Sequence, residues 1–160
     1  MGNAPVRYGV ATREEIAGLS GLEVMRAIVD GRLPAATMMR AMRFRAVEVG
    51  EGLAVFEGEP SDELLNPLGT VHGGWALTLI DSAAGCAAHT LLAAGVGYTT
   101  LETKANFVRA ITASTGTVRA TGRVLSPGRT VMTAEARLDG PDGRLLAHGT
   151  STLLVLGSRG

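Results

Sequence analysis

The feature that most constrains the fold is a long apolar run over residues 74–94. Asp81 is its only formally charged side chain, and the run also carries His89, Ser82 and two threonines, which a bilayer-spanning helix would bury only at considerable cost. A helix that is apolar on all sides must be buried on all sides. Because many residues of the run are Ala or Gly, we expect a central helix that a sheet can approach closely.

Composition and charge narrow the class of protein. The 160 residues include 46% hydrophobic and 19% charged side chains, the balance of one globular domain. Lys and Arg together number 15, and Asp and Glu together also number 15. The chain therefore has no excess of basic residues of the kind that favours binding to nucleic acid. The single Cys86 excludes an intramolecular disulfide, and no Cys/His spacing is typical of a metal site. The first ten residues lack a signal-peptide pattern, and we expect a cytoplasmic protein with no membrane anchor.

The sequence predicts two helix starts near the N-terminus. Thr12 with Glu15, and Ser20 with Glu23, match the capping box in which each side chain satisfies the other residue's free amide. The sequence thus predicts a helical extension over residues 1–40. This extension has two open interpretations, a helix packed on a sheet edge or a cover over a substrate pocket.

Residues 41–157 are predicted to form the main domain, built of strands around the central helix. Strand-like runs flank the turn at residues 50–52, and four more follow the apolar run. In the first of these four, alternation places Leu101 and Thr103 on one face and Thr100 on the other. Because strands and helices segregate along the chain, we expect an α+β fold with an antiparallel sheet.

Asp81 and the glycines before it are the first candidates for chemistry. A buried carboxylate costs several kcal/mol unless it is paired or functional, and Gly85, one turn later, leaves space for a pocket. The triplet His72, Gly73 and Gly74 leads straight into the helix, where free backbone amides and the helix dipole favour developing negative charge. Such amides are the donors of an oxyanion hole.

These residues carry a family resemblance. Asn66 six positions before His72, the His-Gly-Gly triplet, Asp81 nine positions after His72, and the segment over residues 100–109 together resemble the PaaI-like branch of hotdog-fold acyl-CoA thioesterases. The resemblance covers about residues 42–156. It implies a hotdog fold, in which a curved antiparallel sheet wraps around one long helix, and assembly into dimers or dimers of dimers. It implies no separate cofactor, since CoA is part of the substrate.

The resemblance also implies roles for individual residues. The Gly73 amide would bind the thioester carbonyl, and Asn66 would help to bind that carbonyl or position water. Asp81 would act as general base or as nucleophile, and Thr100 would orient the water. His72 would organise the loop and the helix start.

Helix geometry adds an expectation that does not depend on the family. Gly73 and Asp81 are eight residues apart, about 12 Å along one helix. Reacting groups must come within about 3.5 Å of the atoms on which they act. We therefore expect Gly73 of one subunit to face Asp81 of its partner, in an active site shared by a homo-oligomer.

Other residues are candidates for substrate binding. Arg129 and Arg109 are expected to contact the CoA phosphates, and Trp75 is expected to line the acyl pocket or to pack in the core. Two alternative functions stay open, a hydratase or dehydratase acting on acyl thioesters and a non-catalytic acyl-CoA sensor. The Asp81 carboxylate and the short, non-basic extension favour the thioesterase over the sensor.

Overall fold

A computed structural model describes residues 6–157. The predicted order of helices, two strands, a long helix and four strands is confirmed, and a third short helix and a 3-10 turn, neither of them predicted, are added. The elements are α1 (Arg13–Ile16), α2 (Gly21–Val29), α3 (Thr37–Ala41), β1 (Phe44–Gly50), β2 (Leu53–Gly58), the 3-10 turn Asp62–Leu64, α4 (Gly73–His89), β3 (Gly97–Phe107), β4 (Val118–Ser126), β5 (Val131–Asp139) and β6 (Leu145–Leu156).

One antiparallel sheet holds all six strands in the order β1-β2-β4-β5-β6-β3. Helix α4 packs against every strand of this sheet, so the sheet wraps around the helix. This is the arrangement expected of the hotdog fold. Strands β1 and β3 form the two edges, and α2 packs against β1 and α4. No helix within residues 6–157 is long and apolar enough to cross a membrane.

The close packing expected from the small residues is confirmed. A Cβ atom placed on Gly122 of β4 would lie 2.1 Å from the carbonyl oxygen of Ala83 on α4. A Cβ on Gly58 of β2 would lie 2.8 Å from the Trp75 ring and 2.7 Å from Leu79. Glycine is therefore required where strand backbone touches the helix, and this contact fixes the position of Asp81 relative to the sheet.

The predicted alternation along β3 holds over residues 102–107, where the pairing with β6 is regular, and is wrong at Thr100 and Leu101, because the strand contains a β-bulge there. Thr100 pairs with Leu153 and Glu102 pairs with Thr152, so Leu101 is the extra residue. Its side chain is 58% exposed. The bulge puts Thr100 and Thr103 on the same, helix-facing side of β3, although simple alternation separates them.

Both predicted capping boxes are present. Thr12 caps α1 with Glu15, and Ser20 caps α2 with Glu23. The Gly21 amide donates to the Leu92 carbonyl at 2.9 Å, which fastens the start of α2 to the end of α4. The first five residues of the predicted extension lie outside the described residues.

Candidate active site

Asn66 closes the loop that precedes α4. Its side-chain oxygen Oδ1 accepts hydrogen bonds from the amides of Leu68 (2.9 Å) and Thr70 (3.3 Å). Its Nδ2 donates to Thr70 Oγ1 at 2.8 Å, which leaves one N–H on that nitrogen. Asn66 thus holds the loop in shape and keeps one donor for another group.

His72 is the N-cap of α4, as expected for a residue that organises the helix start. Its Nδ1 accepts a hydrogen bond from the Gly74 amide at 2.9 Å, so that amide is already used. The neighbouring Gly73 amide donates to no acceptor among residues 6–157. Of the two glycine amides considered from the sequence, Gly73 is the one that can bind a ligand, and it lies at the positive end of a 17-residue helix.

A cavity of about 310 Å³ brings three of the predicted residues together. Asn66, Gly73 and Arg109 line it with the ring of Phe107. Arg109 Nη1 donates a hydrogen bond to the Leu145 carbonyl at 2.6 Å, which fixes one edge of the guanidinium. Its other N–H groups make no hydrogen bond within the described residues and can bind an anion. The cavity therefore combines a backbone amide, a carboxamide and a guanidinium.

Asp81 is half-buried and is held by a chain of hydroxyl groups. Thr103 Oγ1 donates to Asp81 Oδ1 at 2.7 Å, and Thr103 Oγ1 lies 2.9 Å from Ser151 Oγ. Because Thr103 has one hydroxyl hydrogen and gives it to Asp81, the buried Ser151 must donate to Thr103. Asp81 Oδ2 accepts no hydrogen bond from the described residues, so this oxygen is available to a water or a substrate.

Thr103 and Ser151 were not predicted as site residues. The sequence shows only a threonine two positions after Leu101 and a serine within a long, largely apolar run. Neither indicates that the two hydroxyls meet Asp81, because the contact depends on the pairing of β3 with β6 and on the packing of α4 against both.

The remaining predicted residues form no hydrogen bond with these two groups in the described part of the chain. Thr100 is on the helix-facing side of β3 and forms no side-chain hydrogen bond within the described part of the chain. Gly85 is covered by Tyr98, whose Oη would lie 2.8 Å from a Cβ at that position. Trp75 is a core residue, 1% exposed, and its Nε1 donates to the Met42 carbonyl. Arg129 is exposed in the turn between β4 and β5.

Two titratable groups lie on the second half of α4, Cys86 and His89. Burial raises the pKa of the Cys86 thiol to about 12, so this thiol stays protonated and is a poor nucleophile near neutral pH. Burial lowers the pKa of His89, so its ring is uncharged near neutral pH. No group of three or more His, Cys, Asp and Glu side chains in residues 6–157 is arranged to hold a metal ion.

The glycine amide and the carboxylate are far apart within one chain. Gly73 and Asp81 lie on one continuous helix, and their separation of eight positions corresponds to about 12 Å. The cavity beside Gly73 accordingly does not include Asp81. Within one chain the Gly73 amide and the Asp81 carboxylate therefore do not act on the same atom.

The chain is similar to a known protein family and to solved structures. The family model described as the thioesterase superfamily matches residues 68–147, half of the chain. A thioesterase family protein from Silicibacter pomeroyi is 29% identical, with a TM-score of 0.69 over 75% of this chain and 89% of its own. A Streptococcus mutans protein solved with bound acetyl CoA is 27% identical, with a TM-score of 0.66 over 74% of this chain and 92% of its own.

The PaaI protein from the phenylacetic acid degradation operon of E. coli has the same fold. It is 21% identical, with a TM-score of 0.69 over 76% of this chain and 85% of its own. The predicted hotdog fold and the predicted resemblance to PaaI-like thioesterases are both confirmed. With its family match running from the loop before α4 into β6, this chain belongs to the thioesterase superfamily.

Proposed function

We propose that this protein is an acyl-CoA thioesterase that hydrolyses an aryl-CoA or a short- to medium-chain acyl-CoA to the free acid and CoA. One observation carries the proposal: the same helix bears a half-exposed Asp81, oriented by Thr103, and a Gly73 amide with no acceptor in the described chain. Membership of the thioesterase superfamily and the acetyl CoA bound by the Streptococcus mutans relative support this substrate class.

The active site is shared between two subunits of a homodimer or of a dimer of dimers. Strand β3 is a sheet edge of 11 residues, and Leu101 and Phe107 on it are 58% and 57% exposed. A long edge of this kind favours pairing with another strand. A two-fold axis beside β3 would set the two copies of α4 side by side in opposite directions, which brings the Gly73 end of one helix toward Asp81 of the other.

Hydrolysis follows from these groups. The thioester carbonyl oxygen binds the Gly73 amide of one subunit, and Asp81 of the other takes a proton from a water molecule. The water oxygen bonds to the carbonyl carbon, and the resulting oxyanion is stabilised by the Gly73 amide and the helix dipole. The intermediate then breaks its C–S bond, and Asp81 gives its proton to the leaving sulfur, so the acid and the CoA thiol are released. In this proposal Asn66 helps to bind the carbonyl or to position the water, and Thr100 orients the water.

Arg109 is the leading candidate to bind CoA phosphates, because it lines the cavity that contains Gly73. Its bond to the Leu145 carbonyl fixes the guanidinium in advance, which lowers the cost of ordering it around an anion. Arg129, exposed on its turn, is a second candidate. Replacing either residue by Ala should raise KM for acyl-CoA with a smaller effect on kcat.

Thiol release from a panel of aryl- and alkyl-CoA substrates tests the proposed function. The wild-type protein should release thiol from at least one member, and Asp81→Asn should lose that activity while remaining folded. Asp62→Asn, on an exposed residue of the 3-10 turn, is the matched control and should keep full activity. Release at the wild-type rate by Asp81→Asn would exclude the proposed base, and no release by the wild-type protein from any member would favour a sensor.

A further inference from the structure

A second and larger cavity lies at the opposite end of α4. Its volume is about 660 Å³, within the usual range for small-molecule pockets. Helices α1 and α2 and the turn between them form one wall, and the end of α4, the start of β3 and the end of β6 form the other. The lining residues are mostly apolar or Gly, among them Ile16, Leu19, Val24, Val96 and Leu156.

This cavity is distinct from the proposed catalytic groups of its own chain. His89, on its wall, is eight residues after Asp81, or about 12 Å along the helix. The wall from residues 13–24 and the wall at residues 156–157 both lie outside the segment matched by the family model. The cavity is therefore built in part by segments that the family match does not include, and in part by the end of α4 and the start of β3, which it does include.

The charge around the cavity is not balanced. Among the residues that line the cavity, Arg13 alone is a Lys, Arg, Asp or Glu. Its side chain is exposed and forms no ion pair within residues 6–157. His89 lines the cavity and its ring nitrogens have no hydrogen-bond partner in the described residues. An apolar pocket with one exposed cation on its wall, and no carboxylate among its lining residues, is complementary to an anion with an apolar body.

The pocket wall is also held firmly in place. A Cβ atom on Gly21 would lie 1.8 Å from the His89 carbonyl oxygen, so α2 approaches α4 as closely as backbone allows. The Ser20 cap and the bond from the Gly21 amide to Leu92 fix the start of α2 at that contact. The pocket therefore exists before a ligand binds, which reduces the cost of binding.

We propose that this cavity, between the N-terminal helices and the end of α4, is a binding site for a small carboxylate with an apolar body, whose carboxylate pairs with Arg13. Occupancy of this site does not require hydrolysis of a thioester. A free carboxylic acid of the kind that a thioesterase releases has the required chemistry, so the site provides a place for such an acid away from the catalytic groups of its own chain.

Titration calorimetry with octanoate tests the site, using octanamide as the uncharged analogue. The Asp81→Asn variant is used beside the wild-type protein, so that binding is measured independently of turnover. Octanoate should bind once per subunit and roughly fivefold more tightly than octanamide, the difference that one exposed ion pair supplies. Arg13→Gln should reduce octanoate to the affinity of octanamide and leave octanamide unchanged.

Variants that fill the cavity identify its location. Val24→Trp on α2 and Ala93→Phe after α4 should both abolish binding of octanoate and octanamide, because both positions line the cavity. Arg26→Trp, exposed on α2 and absent from the lining, is the matched control and should bind normally. Equal affinity for the two ligands, no binding, or binding that survives both filling variants would overturn the proposal, whether or not the protein hydrolyses thioesters.

Discussion

Replacing Thr103 by Val removes the hydroxyl that orients Asp81 and keeps the shape of the side chain. The lost bond is 2.7 Å long and ends on a carboxylate, a class of hydrogen bond worth about 1.5–3 kcal/mol. If that energy orients the base in the transition state, kcat should fall roughly 10- to 150-fold with little change in KM. The same substitution in the Asp81→Asn background should cost no further activity, since the two residues act as a unit.

Stability should respond to Thr103→Val in a second, independent way. Ser151 is 2% exposed, and its hydroxyl has Thr103 as its hydrogen-bond partner. Leaving that hydroxyl unpaired should lower the free energy of unfolding by about 1–3 kcal/mol, and Thr103→Val/Ser151→Ala should recover part of the loss because both partners are then apolar. Urea unfolding and thiol-release kinetics measure the two effects.

Thr150→Val is the matched control, because Thr150 is exposed on the neighbouring position of β6 and forms no side-chain hydrogen bond in the described chain. It should change neither kcat nor stability appreciably. Turnover of Thr103→Val within twofold of the wild-type value, in a protein that shows the expected loss of stability, would refute the positioning role of Thr103.

Three further outcomes are expected. Gly85→Ala should lower the free energy of unfolding by about 1–3 kcal/mol, because the new Cβ would lie 2.8 Å from Tyr98 Oη. In thermal unfolding, adding Tyr98→Phe should restore part of the lost stability, and no rescue would mean that the clash lies elsewhere. Burial lowers the pKa of His89 below its ordinary value of 6.5, so below that pH the unfolded chain binds more protons than the folded one. Stability should therefore fall as the pH drops through 6.5 and level off below the folded-state pKa. Urea titrations from about pH 8 to about pH 5 should show a flatter stability profile for His89→Gln, and an unchanged slope would contradict this. Ser20→Ala should lower the free energy of unfolding by about 1 kcal/mol, because α2 loses its N-cap. Ser126→Ala, at an exposed strand end, should leave it almost unchanged, and equal losses in urea unfolding would argue against the cap.

Much of the fold could be predicted because its signals are local. The capping boxes at Thr12 and Ser20 involve residues three positions apart, and the small, apolar α4 indicates burial without reference to a partner. The turn at residues 50–52 likewise identifies its hairpin from three residues. Such features require no knowledge of tertiary contacts.

The bulge in β3 could not be predicted, because register is a property of two strands. Leu101 is extra only with respect to the pairing of Thr100 and Glu102 with β6. Once the bulge shifts the alternation, Thr103 faces α4 and reaches Asp81, and the exposed leucine turns away. The orientation of the proposed base therefore depends on a strand–helix contact, between Thr103 and Asp81, that the sequence does not reveal.

Gly85 and Trp75 show a related limit. A small residue one turn after Asp81 predicts free space, but Tyr98 from β3 occupies it. An aromatic residue at a helix start is equally suited to a pocket wall or to the core, and the bond of Trp75 to the Met42 carbonyl places it in the core. In both cases the answer depends on an element distant in sequence.

Mixing two inactive variants tests the shared active site most directly. Asp81→Asn removes the base, and Gly73→Pro removes the amide donor at the first helical position, where Pro is tolerated and the preceding His72 (φ −59°, ψ 133°) already has a conformation suited to a following Pro. Each variant alone should be inactive in thiol release.

After dissociation and random reassembly of equal amounts, each shared site has an even chance of an intact Gly73 from one subunit and an even chance of an intact Asp81 from the other. Roughly a quarter of the wild-type activity per subunit should return, in a dimer or in a dimer of dimers. If Gly73 and Asp81 of the same chain formed the site, no mixture would regain activity, and that result would contradict a site shared across the two-fold axis.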